Sequence, residues 1–183
     1  MDGVLIDARD WHYEALNMAL QPFGITIGRE SHLSTFDGLS TVQKLKILSK
    51  THGIPEKMHE FLNELKQKHT QEIIFSKCRP VFQHRYLLSR LKREGYRLAL
   101  CSNSVRQSVN VMSQKAGLCE YLEFTLSNED VTKPKPDPEI YKLAMQKMGL
   151  SAKECLIVED NENGIIAAQD SGAHVLRVAS PDD

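Results

Sequence analysis

The residues best able to do chemistry in this chain sit where apolar runs end. Arg97-Leu98-Ala99-Leu100-Cys101 passes directly into Ser102-Asn103-Ser104, and Cys155-Leu156-Ile157-Val158 passes into Glu159-Asp160-Asn161. If those runs are neighbouring parallel strands, hydroxyl and amide donors face two carboxylates across the crevice where such sheets bind ligands. Adjacent acids repel each other unless a cation neutralises them, and all-oxygen ligation suits Mg2+. The plain alternative is that Glu159 or Asp160 caps the helix starting near Glu162, since acids are favoured at helix starts. A third segment, Val131-Thr132-Lys133-Pro134-Lys135-Pro136-Asp137-Pro138, has prolines at alternate positions and reads as a stiff, extended loop. Lys133 at its start would present a fixed positive charge to a phosphoryl oxygen. Lys135 has no second feature to distinguish it and is expected in solvent. The opening Met1-Asp2-Gly3-Val4-Leu5-Ile6-Asp7 places an acid beside a glycine, which by composition alone says little.

These residues need elements to hold them. From about Arg9 to Lys77 the spacing is helical: Trp11, Ala15, Leu16 and Ala19 share a face, Pro22 and Gly24 end it, Ser40 and Gln43 form a capping-box signature, and a third helix follows Gly53 and Pro55. From Pro80 onward the texture changes. Helices predicted near 81–94, 105–116, 138–148 and 162–171 alternate with short strands near 97–101, 124–126, 155–158 and 174–178. That alternation implies a parallel sheet covered on both faces.

Composition bounds the rest. The 183 residues, 41% hydrophobic and 26% charged, suit one domain or a domain with a small insertion. With 23 Lys and Arg against 24 Asp and Glu, the net charge of -1 offers no excess of positive charge for nucleic acid or an anionic membrane. Cys78, Cys101, Cys119 and Cys155 lack zinc-type or CxxC spacing and read as reduced core thiols of a cytosolic protein. No apolar run approaches the roughly 20 residues that span a bilayer, and no secretory leader is visible, so a cytoplasmic location is expected.

Taken in order, Asp-Gly-Val-Leu-x-Asp from Asp2, Ser102-Asn103 after a strand, Lys-Pro-x-Pro-Asp from Lys133 and Glu-Asp-x-x-x-Gly-Ile-x-Ala-Ala from Glu159 resemble the haloacid dehalogenase-like hydrolases. The resemblance is to the branch with phosphoglycolate phosphatases and β-phosphoglucomutases. It implies an α/β fold: a doubly wound, Rossmann-like parallel sheet built from residues 1–8 and 78–183, with an inserted all-helical cap at 9–77. It also implies that Asp2 is the general acid/base, with its carbonyl facing the metal. Ser102 would hydrogen-bond the transferring phosphoryl, Asn103 would add a substrate contact, and Lys133 would offset charge. Glu159 and Asp160 would hold Mg2+, and Gly3 would permit the tight turn next to the substrate. Asp7 and His12 sit five apart and would help close the cap over substrate, against the plain alternative of a capping acid and a surface histidine.

The chain departs from the family pattern at its start. The motif is Asp-x-Asp-Gly, with the first aspartate attacking phosphorus; Met1 stands at x, so that nucleophile and the apolar strand before it would precede Met1. The expectation is a chain truncated at its N-terminus relative to the family, with a gap in the middle of its sheet. The function this implies is Mg2+-dependent hydrolysis of a small phosphorylated metabolite through an aspartyl-phosphate, the nucleophile being absent from this chain. Three alternatives stay open: β-phosphoglucomutase-like transfer, a non-catalytic Mg2+- or phosphate-binding relative, and an adaptor. Asp37 and Thr41 stand where mutases tend to carry basic residues, which favours a phosphatase. Lys44 and Lys46 would partly replace that charge, although lysines on such helices are usually solvated. No nucleic-acid or membrane partner is expected, and the expected state is a monomer or weak dimer.

Overall fold

A computed structural model describes residues 1–36 and 38–179; Asp37, on which part of the mutase comparison rests, and the closing Ser180-Pro181-Asp182-Asp183 lie outside the described residues. The chain forms two compact units, one made of Met1–Asp7 and the chain from Cys78 onward, the other of Ala8–Lys77.

The second unit is helical throughout. It contains α1 (Arg9–Leu20), the short α2 (Arg29–Ser31) continuing into a wider turn through Phe36, α3 (Thr41–His52) and α4 (His59–Lys77). Its apolar stripes meet in a core of Leu16, Leu20, Ile27, Phe36, Leu45, Leu48, Ile54 and Leu62. Ser40 caps α3 as expected: its side chain receives the Gln43 amide at 3.3 Å while its own amide donates to Gln43 Oε1 at 3.0 Å. The Asn17 side chain grips both main-chain groups of Ile27, at 3.1 and 2.7 Å, pinning the connection after α1.

His32 is 2% exposed, with the Tyr13 ring edge-on at 5.2 Å and Phe36 stacked at 6.3 Å. Burial first, then the charges of Lys44, His12 and Lys66 against the opposing Asp10, hold its pKa down at about 4. In the unfolded chain the imidazole titrates near 6.5, so between those values the unfolded state binds more protons. Stability is therefore lost as pH falls through that window, by up to ~3 kcal/mol. Urea midpoints followed between neutral pH and about pH 4 should fall in the wild type and flatten in His32→Phe; parallel curves would contradict this assignment.

The first unit carries α5 (Phe82–Arg93), β1 (Ala99–Cys101), α6 (Arg106–Lys115), β2 (Phe124–Leu126), α7 (Glu139–Met148), β3 (Leu156–Glu159), α8 (Glu162–Asp170) and β4 (His174–Arg177). All strand pairing is parallel, in accord with the α/β class, but the named strands form two separate ribbons, β1–β2 and β3–β4. The expected sheet is thus divided among the described residues, and neither β1 nor β3 has a partner strand on its other edge. One face of each ribbon packs on a core of Leu126, Ile140, Tyr141, Ala144, Ala167 and Ala168, joined by Ile157 and Val175. The opposite face of β3–β4 is open: Leu156 is 62% exposed and Leu176 50%.

Of the four cysteines, all free, only Cys78 is fully buried and Cys119 is exposed, so the expectation of four core thiols is corrected. Among the described residues, no helix is long and apolar enough to cross a membrane.

Candidate active site

Three loops leave strand ends or the chain start and converge within the first unit. Ser102 extends the β1–β2 ladder by one step, its amide donating to Leu126 O at 3.0 Å, and its buried hydroxyl receives the Ser104 amide at 3.1 Å. Ser104, which the sequence reading did not single out, donates its hydroxyl to Asp2 Oδ2 at 3.3 Å and so ties the first loop to the second. Asp2 lies in a bridge with Ile6, closed by a turn in which Gly3 adopts φ +70°. The conformation alone favours glycine, and so does the space: a Cβ here would fall 1.9 Å from Asp160 Oδ2. Asp160 is thereby packed on the backbone next to Asp2.

The third loop corrects the reading of the two lysines. The Lys133 side chain is 74% exposed and its ammonium lies 3.9 Å from Asp137, while the Thr132 and Lys133 amides are tied to Glu139. Lys135, expected in solvent, is 6% exposed. Its Nζ donates to Glu159 Oε1 at 2.5 Å and to Cys101 O at 3.2 Å, and lies 4.6 Å from the centre of the Tyr141 ring. One lysine thus spans the ends of β1 and β3. Asn103 fixes it from behind: its amide group donates to Lys135 O at 3.1 Å and accepts the Lys135 N–H at 3.0 Å. Asn103 is therefore used on the main chain of the loop, rather than presented to a ligand as expected.

The signal for Lys135 was present in the sequence. Lys-Pro-x-Pro followed by an acid occurs twice in overlapping frames, at 133–137 and at 135–139, and the second frame continues into Ile140 and Tyr141. Ile140 is fully buried and Tyr141 nearly so at the start of α7. The second frame is therefore the one anchored to the core, and it carries its lysine inward.

Glu159 is 4% exposed and accepts from Lys135 and from the Tyr141 hydroxyl on the same oxygen, Oε1. Burial pushes its carboxyl up, but the positive groups around it, Lys135 foremost, outweigh burial and leave its pKa below the ordinary range. The Tyr141 phenol is driven strongly upward by burial and by Glu159, so it remains a neutral donor. Burial pushes the Cys101 thiol up to about 11, which removes a thiolate from consideration as a nucleophile at neutral pH. Gly164, in the first turn of α8, makes room for the glutamate: a Cβ there would fall 2.2 Å from Glu159 Oε2. The helix cap is neither acid but Asn161, whose side chain receives the Gly164 amide at 3.0 Å. Glu159 and Asp160 are thus released from the capping role that was the plain alternative.

Among the described residues, no three His, Cys, Asp or Glu side chains are gathered as a ready-made ion site. Glu159 Oε1 is turned to Lys135 and Tyr141. The donors still fit a hard cation. Two adjacent carboxylates end β3, Asp160 lies against the Gly3 backbone, and the available atoms are all oxygen.

In the helical unit, His12 Nδ1 lies 3.4 Å from Lys66 Nζ. Lys44 and Lys66 are both buried, against the expectation that Lys44 is solvated, whereas Lys46 is exposed.

The haloacid dehalogenase-like hydrolase family profile matches residues 1–178. A pyrophosphatase, PpaX, of Bacillus velezensis is 32% identical over 92 residues, a match spanning 50% of this chain but only 43% of that relative. A phosphoglycolate phosphatase of Yersinia pseudotuberculosis is 26% identical over 188 residues, covering 94% of this chain and 75% of the relative. The crystal structure of a β-phosphoglucomutase from Clostridium difficile superposes with a TM-score of 0.85 at 20% identity, covering 99% of this chain and 88% of that one, a likeness of fold.

Proposed function

Since the chain belongs to the haloacid dehalogenase-like hydrolase family, whose named relatives include phosphatases of phosphoric monoesters, we propose that it is the body of a Mg2+-dependent phosphatase for a small phosphorylated metabolite. The observation that carries this reading is the placement of Lys135, whose ammonium sits between the carbonyl that precedes Ser102 and the carboxylate of Glu159. A phosphoryl group needs such a fixed positive charge beside hydroxyl donors and a metal.

In this reading the nucleophilic aspartate belongs two positions before Asp2. Asp2, held by Ser104, protonates the departing oxygen and then takes a proton from the water that cleaves the aspartyl-phosphate. Ser102 donates to a phosphoryl oxygen. Lys135, in place of the expected Lys133, offsets charge on the phosphoryl group, and Asn103 holds the lysine by its backbone. Glu159 and Asp160 would hold Mg2+, with the Asp2 carbonyl completing the protein's share. Bound there, the cation would supply Lewis-acid neutralisation of the phosphoryl oxygens. Residues 9–77 are proposed as the cap that selects substrate, with His12 among its substrate contacts. A cytoplasmic location, no nucleic-acid or membrane partner, and a monomer or weak dimer complete the proposal.

The alternative reading implied by the family resemblance is a mutase-like transfer on a substrate with a further anionic group. The two readings separate by product. With an Asp-ended strand placed before Asp2, a panel of sugar phosphates and phosphoglycolate should release inorganic phosphate in step with substrate loss. Conversion to an isomer without phosphate release would replace the phosphatase by the mutase.

A further inference from the structure

The phenol of Tyr141 has no part in the chemistry above, yet it lies on the carboxylate proposed to hold the metal. Tyr141 projects from the first turn of α7, and its hydroxyl donates to Glu159 Oε1, the oxygen that also receives Lys135 Nζ at 2.5 Å. The lysine in turn lies over the Tyr141 ring, 4.6 Å from its centre, so the three groups fix one another. The second oxygen, Oε2, receives the Asp160 amide at 3.3 Å, and the carboxylate as a whole packs against Gly164, where a Cβ would fall 2.2 Å from Oε2 and 2.7 Å from Oε1. The two oxygens of one buried carboxylate are therefore unequal: Oε1 carries a phenol and an ammonium, and Oε2 carries one long amide contact.

That inequality bears on which cation the site accepts. Mg2+ demands near-octahedral geometry and takes one oxygen from each carboxylate, whereas Ca2+ accepts larger shells and readily takes both. We infer that Tyr141 is a metal-specificity residue: by occupying Oε1 together with Lys135, it restricts Glu159 to ligation through Oε2 alone and so favours Mg2+ over Ca2+. The inference rests on the proposed metal site. It adds that the choice of ion is set from behind the ligand, by a phenol on a different helix from the one that follows the acidic pair.

The test is equilibrium binding of Mg2+ and of Ca2+ to the chelator-stripped chain, wild type against Tyr141→Phe, with folding checked by thermal melts. In the wild type Mg2+ should bind more tightly than Ca2+. In Tyr141→Phe the Mg2+ Kd should rise about tenfold, the usual effect of losing an outer partner of a ligand, while the Ca2+ Kd stays or falls, so the preference drops at least as far. A parallel weakening for both ions, or an unchanged preference, would overturn the role and leave the site itself standing. Failure of the wild type to bind either ion would remove the metal site and this inference with it. Because the variant removes one bond from a buried group, 3-fluorotyrosine at position 141 gives a second readout that keeps the bond. Its 19F resonance should move on Mg2+ addition with the same Kd as direct binding, and a resonance indifferent to Mg2+ would overturn the role even if Tyr141→Phe fails to fold.

Discussion

Lys135→Ala should destabilise the protein by ~3–5 kcal/mol, the cost of leaving one member of a buried ion pair without its partner, whereas Lys133→Ala should leave stability unchanged. Lys135 and Glu159 are both almost completely buried, and Oε1 depends on the ammonium to keep its charge. Lys133, by contrast, reaches a half-exposed Asp137 at 3.9 Å, in the class of surface pairs with little measurable effect. Replacing both members, Lys135→Met with Glu159→Gln, should recover most of the loss, because a neutral pair no longer carries a stranded charge. In the chain extended by an Asp-ended strand, Lys135→Ala should also cut turnover by ~10²–10³, the usual effect of removing one preorganised charge at a reacting centre. Equal effects of the two single substitutions in denaturant unfolding and turnover would return the role to Lys133.

Asp160→Asn should abolish stabilisation by Mg2+ while leaving the metal-free protein nearly as stable. A ligand that binds only the folded state at a hundredfold excess over its Kd contributes ~2.7 kcal/mol, and that whole increment should vanish. Asp160 is the cleaner test of the acidic pair. Glu159→Gln strands Lys135 and mixes folding with binding, whereas the Asp160 carboxylate lies on the Gly3 backbone, where an amide of the same shape fits. Thermal melts with and without Mg2+ decide it: an Asp160→Asn protein that still gains full stability from Mg2+ would move the ion elsewhere.

Elements governed by local rules were legible in the sequence. The Ser40–Gln43 box, the α7 stop at Gly149 and the alternation of helix and strand after Pro80 follow from capping chemistry and periodicity, which act over a few residues. The Glu159–Asp160 pair and Ser102 were legible because they directly follow apolar runs. Which lysine turns inward is marked only by the second Lys-Pro-x-Pro frame, the one that continues into Ile140 and Tyr141, and by no local capping or periodicity rule. Lys133 and Lys135 share a proline-rich setting, and the choice is made by Tyr141 and Glu159, distant along the chain and close in space. The same holds for Lys44 and Lys66. Each lies on the buried stripe of its helix, Lys44 beside Leu45 and Leu48, Lys66 between Leu62 and Thr70, but average lysine behaviour points to solvent. The family resemblance implied a gap in the middle of the sheet, whereas periodicity alone does not report which strands are neighbours, and the named strands form two ribbons.

The convergence of Asp2, Ser102, Lys135 and the acidic pair is proposed as a phosphoryl-transfer site. The direct test is hydrolysis of p-nitrophenyl phosphate, with and without Mg2+, by three proteins: the chain as it stands, the chain preceded by an apolar strand with Asp two positions before Asp2, and the same extension carrying Ala there. Mg2+-dependent turnover should occur in the Asp form and lie orders of magnitude lower in the other two, as expected when a nucleophile is removed. Equal turnover in the Asp and Ala forms, or turnover indifferent to Mg2+, would contradict the claim.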